Sequence, residues 1–237
     1  MTKRNQSPVP PYGRAKKLIF MGGGGGGKTT LAMLTASAAI ARGIDVQVYD
    51  MDRANQSMER YFDKQLMPVE NMVDRESRDP LIVPEFLEER VFSHDGNAII
   101  DFGANLEDGL LYWLADRGGP VANDIRIICP VKKKDGVSAV NRIYANTEGI
   151  KKLLVLNLGG ERYAENARAT DLYQQLLEEG AQEALLPLLG HSLIRMDDLN
   201  LRPDEMLTRG MFDKQGGTNI LRQVEEFYQP FPDFRIW

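Results

Sequence analysis

The chain of 237 residues has little cysteine, little histidine and no long apolar run. Its one cysteine, Cys129, cannot form an internal disulfide. Because this is typical of a reducing compartment, we expect a cytoplasmic protein. No apolar run approaches the roughly 18 residues that cross a bilayer, and the start lacks a signal-peptide pattern, so no membrane anchor is expected. The two histidines, His94 and His191, are not spaced as metal ligands.

The chain also lacks an excess of positive charge, with a formal net charge of -5. A general attraction to nucleic acid or anionic lipid is therefore not expected. Residues 1–15 differ, because they carry basic side chains and prolines but no acid, and they predict a flexible basic arm. The arm could touch DNA, lipid or a partner, or it could be a solvated tail. Acidic residues outnumber basic ones between residues 180 and 237, so direct DNA binding is supported only, if at all, through the arm.

The apolar pattern predicts strands separated by helices. Strand-like runs occupy residues 16–21, 44–49, 97–101, 124–131 and 151–158, with a weaker run at 184–190. Helix-like stretches occupy residues 29–43, 104–119, 136–149, 163–180 and 218–228, and residues 60–96 fit the alternation least well. The runs lack strict alternation, as strands covered on both faces do. We therefore predict an α/β fold: a doubly wound, mostly parallel sheet with helices on both faces.

This fold is assigned to residues 16–229 as one domain, followed by an aromatic tail at 230–237. The aromatic side chains near the C-terminus could contact a partner or a second copy of the chain. They could equally pack on the chain's own core.

Six consecutive glycines follow the first strand, in the stretch MGGGGGGKTT at residues 21–30. Gly22, Gly27, Lys28 and Thr29 fit the P-loop pattern G-x-x-x-x-G-K-[ST]. Backbone N–H groups of such a loop surround phosphates, and the following helix N-terminus favours negative charge. The sequence therefore predicts binding of ATP or ADP with Mg²⁺.

Each residue of the loop has an expected role. The backbone of Gly24, Gly25, Gly26 and Gly27 would cradle the phosphates, and Thr30 would contact the α-phosphate. Lys28 would reach the β- and γ-phosphates as a catalytic residue, and the Thr29 hydroxyl would ligate Mg²⁺.

Carboxylates follow two other strands. Asp50 and Asp52 end the second strand, and we expect that strand to neighbour the first, which would place both acids beside the P-loop. Either could orient the attacking water as a catalytic residue, and Asp52 could hold Mg²⁺ through water. Alternatively, Asp52 only caps a turn. Asp101 ends a further strand in the Walker B position as a metal-binding candidate, and the N–H of Gly103 could sense the γ-phosphate.

In order and spacing, the segments GGGGKTT, DMDRANQS, IIDFGAN and LVLNL resemble the ParA/MinD family of deviant Walker ATPases over about residues 16–200. The resemblance implies that Asp52 is the water-activating switch residue, Asp101 the Walker B residue and Gly103 part of the second switch. It also implies that Asn157 recognises adenine and that the segment HSLIRMDDLN, which contains Ile194, closes over the base.

What the family does is carried over as expectation. The resemblance implies a nucleotide-dependent homodimer that acts through a protein partner to position cargo. Within the family the chain most resembles StbB/TraL-type proteins of conjugative plasmids, which implies a role in plasmid stability, partition or transfer.

One position departs from the family pattern. The signature lysine, five residues before the P-loop lysine, is replaced by Gly23. We hypothesise that Lys132, Lys133 or Lys134, or else Arg53, supplies the missing charge. Alternatively, the three lysines form a solvated loop.

Three functions remain open at this point. The first is a switch ATPase that is slow without a partner. The second is a nucleotide-binding module with little or no hydrolysis. The third is a small-molecule kinase, for which RESR (75–78) and ERYAENAR (161–168) could supply lid arginines. The letters D-F-G at Asp101 do not indicate a protein kinase, because no H-R-D loop is present.

Overall fold

A computed structural model describes residues 16–52, 57–62, 69–72, 81–104, 106–121, 124–158, 161–186, 201–208 and 214–237. Seven parallel strands form one sheet in the order β3-β2-β4-β1-β5-β6-β7. The strands are β1 (Lys17–Phe20), β2 (Val46–Asp50), β3 (Val69–Asn71), β4 (Asn97–Asp101), β5 (Ile125–Val131), β6 (Lys151–Asn157) and β7 (Gln182–Leu186).

Helices connect the strands. They are α1 (Lys28–Ala41), α2 (Ile82–Phe86), which continues as a π-turn over Leu87–Val91, α3 (Glu107–Val121), α4 (Lys134–Ala145), α5 (Glu161–Arg168), α6 (Asp171–Glu178), α7 (Pro203–Thr208) and α8 (Lys214–Tyr228). Short 3₁₀ turns occupy Met58–Tyr61 and Pro232–Phe234. None of the helices within these described ranges is long and apolar enough to span a bilayer.

Both faces of the sheet are covered. Leu18 and Phe20 of β1 pack in a core with α1, α8 and Leu201, whereas Ile19 packs in a second core with α2 to α6. Successive strand residues point to opposite faces, so a strand buried on both sides shows a continuous apolar run. The predicted doubly wound α/β fold is confirmed.

The prediction that β1 and β2 are neighbouring strands is wrong. β4 lies between them, pairing with β1 through Phe20 and Asp101 and with β2 through Asp50 and Asp101. Strand order depends on how the helices pack the chain together, which no local pattern records. As a consequence, β4, which ends at Asp101, adjoins the strand that leads into the glycine loop.

Two further elements differ from expectation. The short edge strand β3 lies within residues 60–96, where no strand was expected. The stretch 163–180 forms two helices instead of one, because Thr170 caps α6: its hydroxyl accepts a hydrogen bond from the Tyr173 N–H at 3.3 Å. This capping bond starts a new helix and interrupts the first.

The aromatic C-terminus packs on the chain itself. Phe234 and Ile236 are buried, and the Trp237 ring meets the Tyr228 ring edge-on at 5.5 Å. The Lys16 ammonium donates to the Arg235 carbonyl at 2.7 Å, which fixes the tail beside the start of β1. Of the two roles considered for these aromatic residues, the structure favours core packing.

Candidate nucleotide-binding site

The glycine loop lies between β1 and α1, at the carboxyl edge of the sheet. Gly27 precedes α1 with a φ of 97°, and Gly25 has a φ of 71°. Residues with a β-carbon rarely adopt this left-handed conformation. The loop can therefore turn sharply at both positions just before the helix begins at Lys28.

Two other glycines are required by close approach. A β-carbon at Gly26 would lie 2.4 Å from the carbonyl oxygen of Pro130, and one at Gly23 would lie 2.7 Å from the Cα of Gly136. Both distances are far below van der Waals contact. The loop is therefore wedged against the end of β5 and the first turn of α4, whereas a β-carbon at Gly24 would meet nothing within 4 Å.

Lys28 folds back into this loop. Its ammonium donates hydrogen bonds to the carbonyls of Gly22 at 3.1 Å and Gly23 at 3.2 Å, and the residue is buried. These two bonds hold the positive charge inside the loop. An anion that enters the loop therefore meets a charge that is already positioned.

Asp101 lies directly beside the loop strand and is 1% exposed. Neither oxygen of its carboxylate accepts a hydrogen bond from the residues that the structure describes. Burial raises the pKa of Asp101 to about 7. The Thr29 hydroxyl and the positive charge of Lys28 oppose this rise, although the hydroxyl lacks the geometry of a hydrogen bond to Asp101. A buried acceptor of this kind costs free energy unless a proton, a cation or water satisfies it.

Asp50 has a different environment on the neighbouring strand. Its Oδ1 accepts from the Asp52 N–H at 2.9 Å, and its Oδ2 accepts from the Met58 N–H at 3.0 Å. Burial raises its pKa to about 6, and these two hydrogen bonds limit the shift. Both oxygens therefore fix the chain that follows β2, which makes Asp50 a residue that positions Asp52 in this structure.

Gly103 joins the two acidic segments. A β-carbon at Gly103 would lie 2.9 Å from the Cα of Asp52 and 3.1 Å from the carbonyl oxygen of Met51. The segment after β4 and the segment after β2 are therefore in direct backbone contact.

Asn157, at the end of β6, contacts the glycine loop. Its side-chain amide donates to the Gly26 carbonyl at 2.9 Å. A β-carbon at Gly27 would lie 2.6 Å from the same amide nitrogen, so a larger residue there would displace the Asn157 side chain from its bond to Gly26. The role of Asn157 in reading adenine stays a prediction, and its bond to the loop adds a second, structural role.

The chain is similar to known proteins in sequence and in structure. Residues 18–110 match the family model described as ATPase MipZ. The structure resembles the septum site-determining protein MinD from Pyrococcus horikoshii OT3, solved with Mg-ADP, with a TM-score of 0.57 and 18% identity over 91% of this chain and 97% of that chain. The fold is that of MinD and ParA.

Two further structures agree with the MinD/ParA fold. A ParA family ATPase from Chlorobium tepidum TLS gives a TM-score of 0.54 and 13% identity, covering 89% of this chain and 98% of that chain. The MinC:MinD cell division protein complex from Aquifex aeolicus gives 0.51 and 12%, covering 90% and 95%. No curated protein sequence matches the chain closely enough to count as a relative.

The residues at this edge of the MinD/ParA fold suit Mg²⁺ with nucleotide oxygens. Thr29, Asp52 and Asp101 offer the oxygen ligands that this ion prefers, and the unsatisfied oxygens of Asp101 could accept hydrogen bonds from its bound water. Within the described ranges, no group of three or more His, Cys, Asp or Glu side chains could hold a metal alone. The ion would therefore depend on phosphate oxygens and water for its remaining ligands.

The lysine run lies close to the position of the missing signature lysine. Lys133 precedes α4, whose Gly136 backbone would meet a β-carbon at Gly23. Lys132 is half-buried, whereas Lys133 and Lys134 are exposed and line an open groove of about 790 Å³ with Tyr163 and other residues of α5 and α6. The run therefore lies next to the loop, which suits a substitute cation, and the exposure of Lys133 and Lys134 equally suits a solvated loop, so both interpretations stay predictions.

Several predicted positions lie outside the described residues. These are Ile194 with its whole segment, Arg53, the basic arm at 1–15 and RESR at 75–78. Thr30 is half-buried in the first turn of α1. In the second arginine-rich stretch, Arg168 pairs with Glu183 at 2.7 Å, and this ion pair gives no support to a kinase lid.

One polar cluster next to α1 was not predicted from the sequence. Arg202 is buried and donates two hydrogen bonds to Asp204, both at 3.0 Å, and a third to the Tyr61 carbonyl, also at 3.0 Å. The letters RPDE resemble an ordinary helix start, with Asp and Glu in the first turn. Only the fold shows that the guanidinium is buried.

Proposed function

We propose that the chain is an ATP- and Mg²⁺-binding switch ATPase of the ParA/MinD type. One observation carries the proposal: the unpartnered, buried Asp101 carboxylate lies beside a glycine loop that already holds the Lys28 ammonium. A site with a fixed cation and an unsatisfied acid suits a phosphate chain with its metal ion. The match to the MipZ family model and the Mg-ADP-bound MinD structure support this proposal.

The chain's own residues then have separate tasks. Lys28 neutralises the β- and γ-phosphates, and the loop amides orient them. Thr29, Asp52 and Asp101 would hold Mg²⁺, which supplies charge neutralisation at the phosphates. Asp52 orients the attacking water, and Asp50 keeps Asp52 in place through its bond to the Asp52 N–H.

The contact of Gly103 with Asp52 makes the site a switch. If the γ-phosphate is bound by the Gly103 N–H, the backbone on both sides of this contact is held in one arrangement. Loss of the phosphate releases both segments together. Such a change at the surface of the sheet edge is what a partner protein would recognise.

We extend this proposal to assembly. The chain forms a nucleotide-dependent homodimer and acts through a protein partner, as the MinC:MinD complex illustrates for another chain of this fold. A role in plasmid stability, partition or conjugative transfer rests on the resemblance to StbB/TraL-type proteins. In this assembly Lys132, Lys133 or Lys134, or Arg53, replaces the signature lysine.

Phosphate release and nucleotide affinity, measured with and without candidate partners, test the proposal. The wild type should bind Mg-ATP and release phosphate slowly, and Lys28→Ala should lose both properties. Asp52→Asn should keep binding and lose turnover, which separates a catalytic role from a binding role. Tight binding with no turnover under any condition would instead establish the alternative, a nucleotide-binding module.

The lysine hypothesis needs a separate measurement. Single alanine variants at Lys132, Lys133, Lys134 and Arg53 are compared for ATP turnover and for ATP-dependent dimer mass by light scattering. A loss of turnover in one variant, with binding unchanged, identifies the substitute cation. Unchanged turnover in all four variants would refute the hypothesis.

A further inference from the structure

A buried guanidinium lies behind the candidate site, at the start of α7. The Nε and Nη2 of Arg202 donate to the two carboxylate oxygens of Asp204, each at 3.0 Å, and only 6% of Arg202 is exposed. This two-pronged pairing fixes the plane of the guanidinium as well as its charge. A buried cation needs such partners, because the unpaired charge would be strongly destabilising.

The same guanidinium reaches the segment that follows Asp52. Its Nη1 donates to the Tyr61 carbonyl at 3.0 Å, and its central carbon lies 4.6 Å from the centre of the Phe62 ring. The segment Met58–Phe62 is therefore held at two ends. Asp50 accepts from its first N–H, and Arg202 contacts its last two residues.

Asp204 extends the contact to the helix that follows the P-loop. The Ser37 hydroxyl of α1 donates to Asp204 Oδ1 at 2.6 Å and accepts from the Asp204 N–H at 3.2 Å. Ser37, Tyr61, Phe62, Arg202 and Asp204 thus form one connected group, called here the Arg202 cluster, in which every member except the half-buried Asp204 is buried. It joins α1, the Met58–Phe62 segment and α7, and α7 packs on α8.

We infer that Arg202 is a positioning residue that couples the phosphate state at Asp50 and Asp52 to the position of α7 and α8. A planar, paired guanidinium in a dry environment accepts few alternative geometries, so a displacement of Tyr61 and Phe62 cannot leave α7 in place. Coupling of this kind works in both directions, so the arrangement of α7 must also affect how the site distinguishes ATP from ADP. The inference rests on the proposed nucleotide switch.

Arg202→Lys tests the coupling. Lysine keeps the charge but loses the planar fork, so it cannot hold both Asp204 oxygens and the Tyr61 carbonyl together. The matched control is Arg42→Ala, which removes the exposed C-cap arginine of α1, whose Nε donates to Glu225 of α8 at 2.7 Å. It breaks a contact between α1 and α8 that lies outside the Arg202 cluster.

Two measurements are made on each full-length chain. The first is the ratio of affinities for a non-hydrolysable Mg-ATP analogue and for Mg-ADP. The second is backbone amide exchange with each nucleotide in three segments: the loop at 22–28, residues 57–62 and residues 201–205. In the wild type we expect the ATP analogue to protect residues 57–62 and 201–205 more than ADP does.

In Arg202→Lys the loop at 22–28 should still be protected by both nucleotides. The extra protection of residues 201–205 by the ATP analogue should disappear, and the affinity ratio should change by about fivefold or more. Arg42→Ala should behave as the wild type. If Arg202 only stabilised the fold, its substitution would weaken the binding of both nucleotides equally and leave the affinity ratio unchanged.

Failure of the proposed function and failure of the coupling alone give different results. If nucleotide does not protect the loop at 22–28 in the wild type, the proposed function and the coupling are both overturned. If the loop is protected but Arg202→Lys retains the wild-type difference at 201–205, the coupling alone is overturned. If Arg202→Lys does not fold, Ser37→Ala removes only the α1 contact of Asp204 and must reduce the same difference for the inference to stand.

Discussion

Gly23 provides the sharpest steric prediction in the molecule. It occupies the position where the family resemblance leads one to expect a lysine, yet a β-carbon there would lie 2.7 Å from the Cα of Gly136. The opposing atom belongs to the backbone of α4, so it cannot move aside as a flexible side chain could. Gly23→Ala should therefore force the glycine loop and the first turn of α4 apart.

The magnitude follows from a comparison within the loop. Overpacking by one methyl group in a tight environment costs about 1–3 kcal/mol. Gly→Ala also restricts the unfolded chain, which stabilises the folded state by about 0.4–1 kcal/mol where the backbone allows alanine. Gly24→Ala is the matched control, because a β-carbon at Gly24 would meet nothing within 4 Å and its φ lies outside the left-handed region. The unfolded-state effect cancels between the two variants, so Gly23→Ala should be less stable than Gly24→Ala by about 1–3 kcal/mol.

Urea titration of both variants and the wild type, without nucleotide, measures this difference. Gly23→Lys should be at least as unstable as Gly23→Ala, because the first carbon of its side chain meets the same backbone. Equal stability of Gly23→Ala and Gly24→Ala would refute the steric reasoning. Restored stability in Gly23→Lys with raised ATP turnover would show that the loop accepts the family lysine after all.

Three further predictions concern the site and its support. Burial raises the pKa of Asp101 from 3.8 to about 7, so the folded chain binds this proton more tightly than the unfolded chain does. The free energy of unfolding without Mg²⁺ should therefore fall as pH rises from about 4 to about 7. Asp101→Asn should weaken this fall in urea titrations across that range, and an unchanged pH profile would contradict the assignment. Gly103→Ala places a methyl group 2.9 Å from the Cα of Asp52 and should lower ATP turnover, measured by phosphate release, more than it lowers ADP affinity; equal losses would argue against a switch contact. Tyr228→Phe removes a hydroxyl 2.8 Å from Thr35 Oγ1 and should cost about 1 kcal/mol of unfolding free energy while leaving nucleotide affinity intact, and an altered affinity would contradict a purely structural role.

The parts of the fold that sequence reasoning predicted are those with local periodicity. The runs that form β1, β2, β4, β5 and β6 are continuous and apolar because both faces of the sheet are covered. The strand β3 was not expected because its residues are only half-buried at the sheet edge and carry no such pattern. The split between α5 and α6 was not expected because the intervening Thr170 also fits a helix surface, and its capping bond is specific to the folded backbone.

In the candidate site, the features that were predicted involve residues close together in the sequence, and those that were not predicted involve residues far apart. The loop residues Gly24 to Lys28 are contiguous, and their backbone conformation is a local requirement, so the motif alone predicted a phosphate-binding loop. Asp50 and Asp101 were expected near the loop because parallel strands end at one edge of a sheet. That β4 lies between β1 and β2, and that Asp50 uses both oxygens to hold the following chain, depended on strand order and packing.

The sequence by itself determined a doubly wound sheet and a glycine loop opening the first helix, because periodicity and backbone conformation are properties of neighbouring residues. Only the tertiary structure decided that Asn157 bonds to Gly26, 131 residues away, and that Gly23 faces the backbone of α4. Such contacts depend on which elements the packing brings together. The six glycines illustrate both levels: Gly25 and Gly27 are required by the turn of the loop itself, and Gly23 and Gly26 by the segments that fold against it.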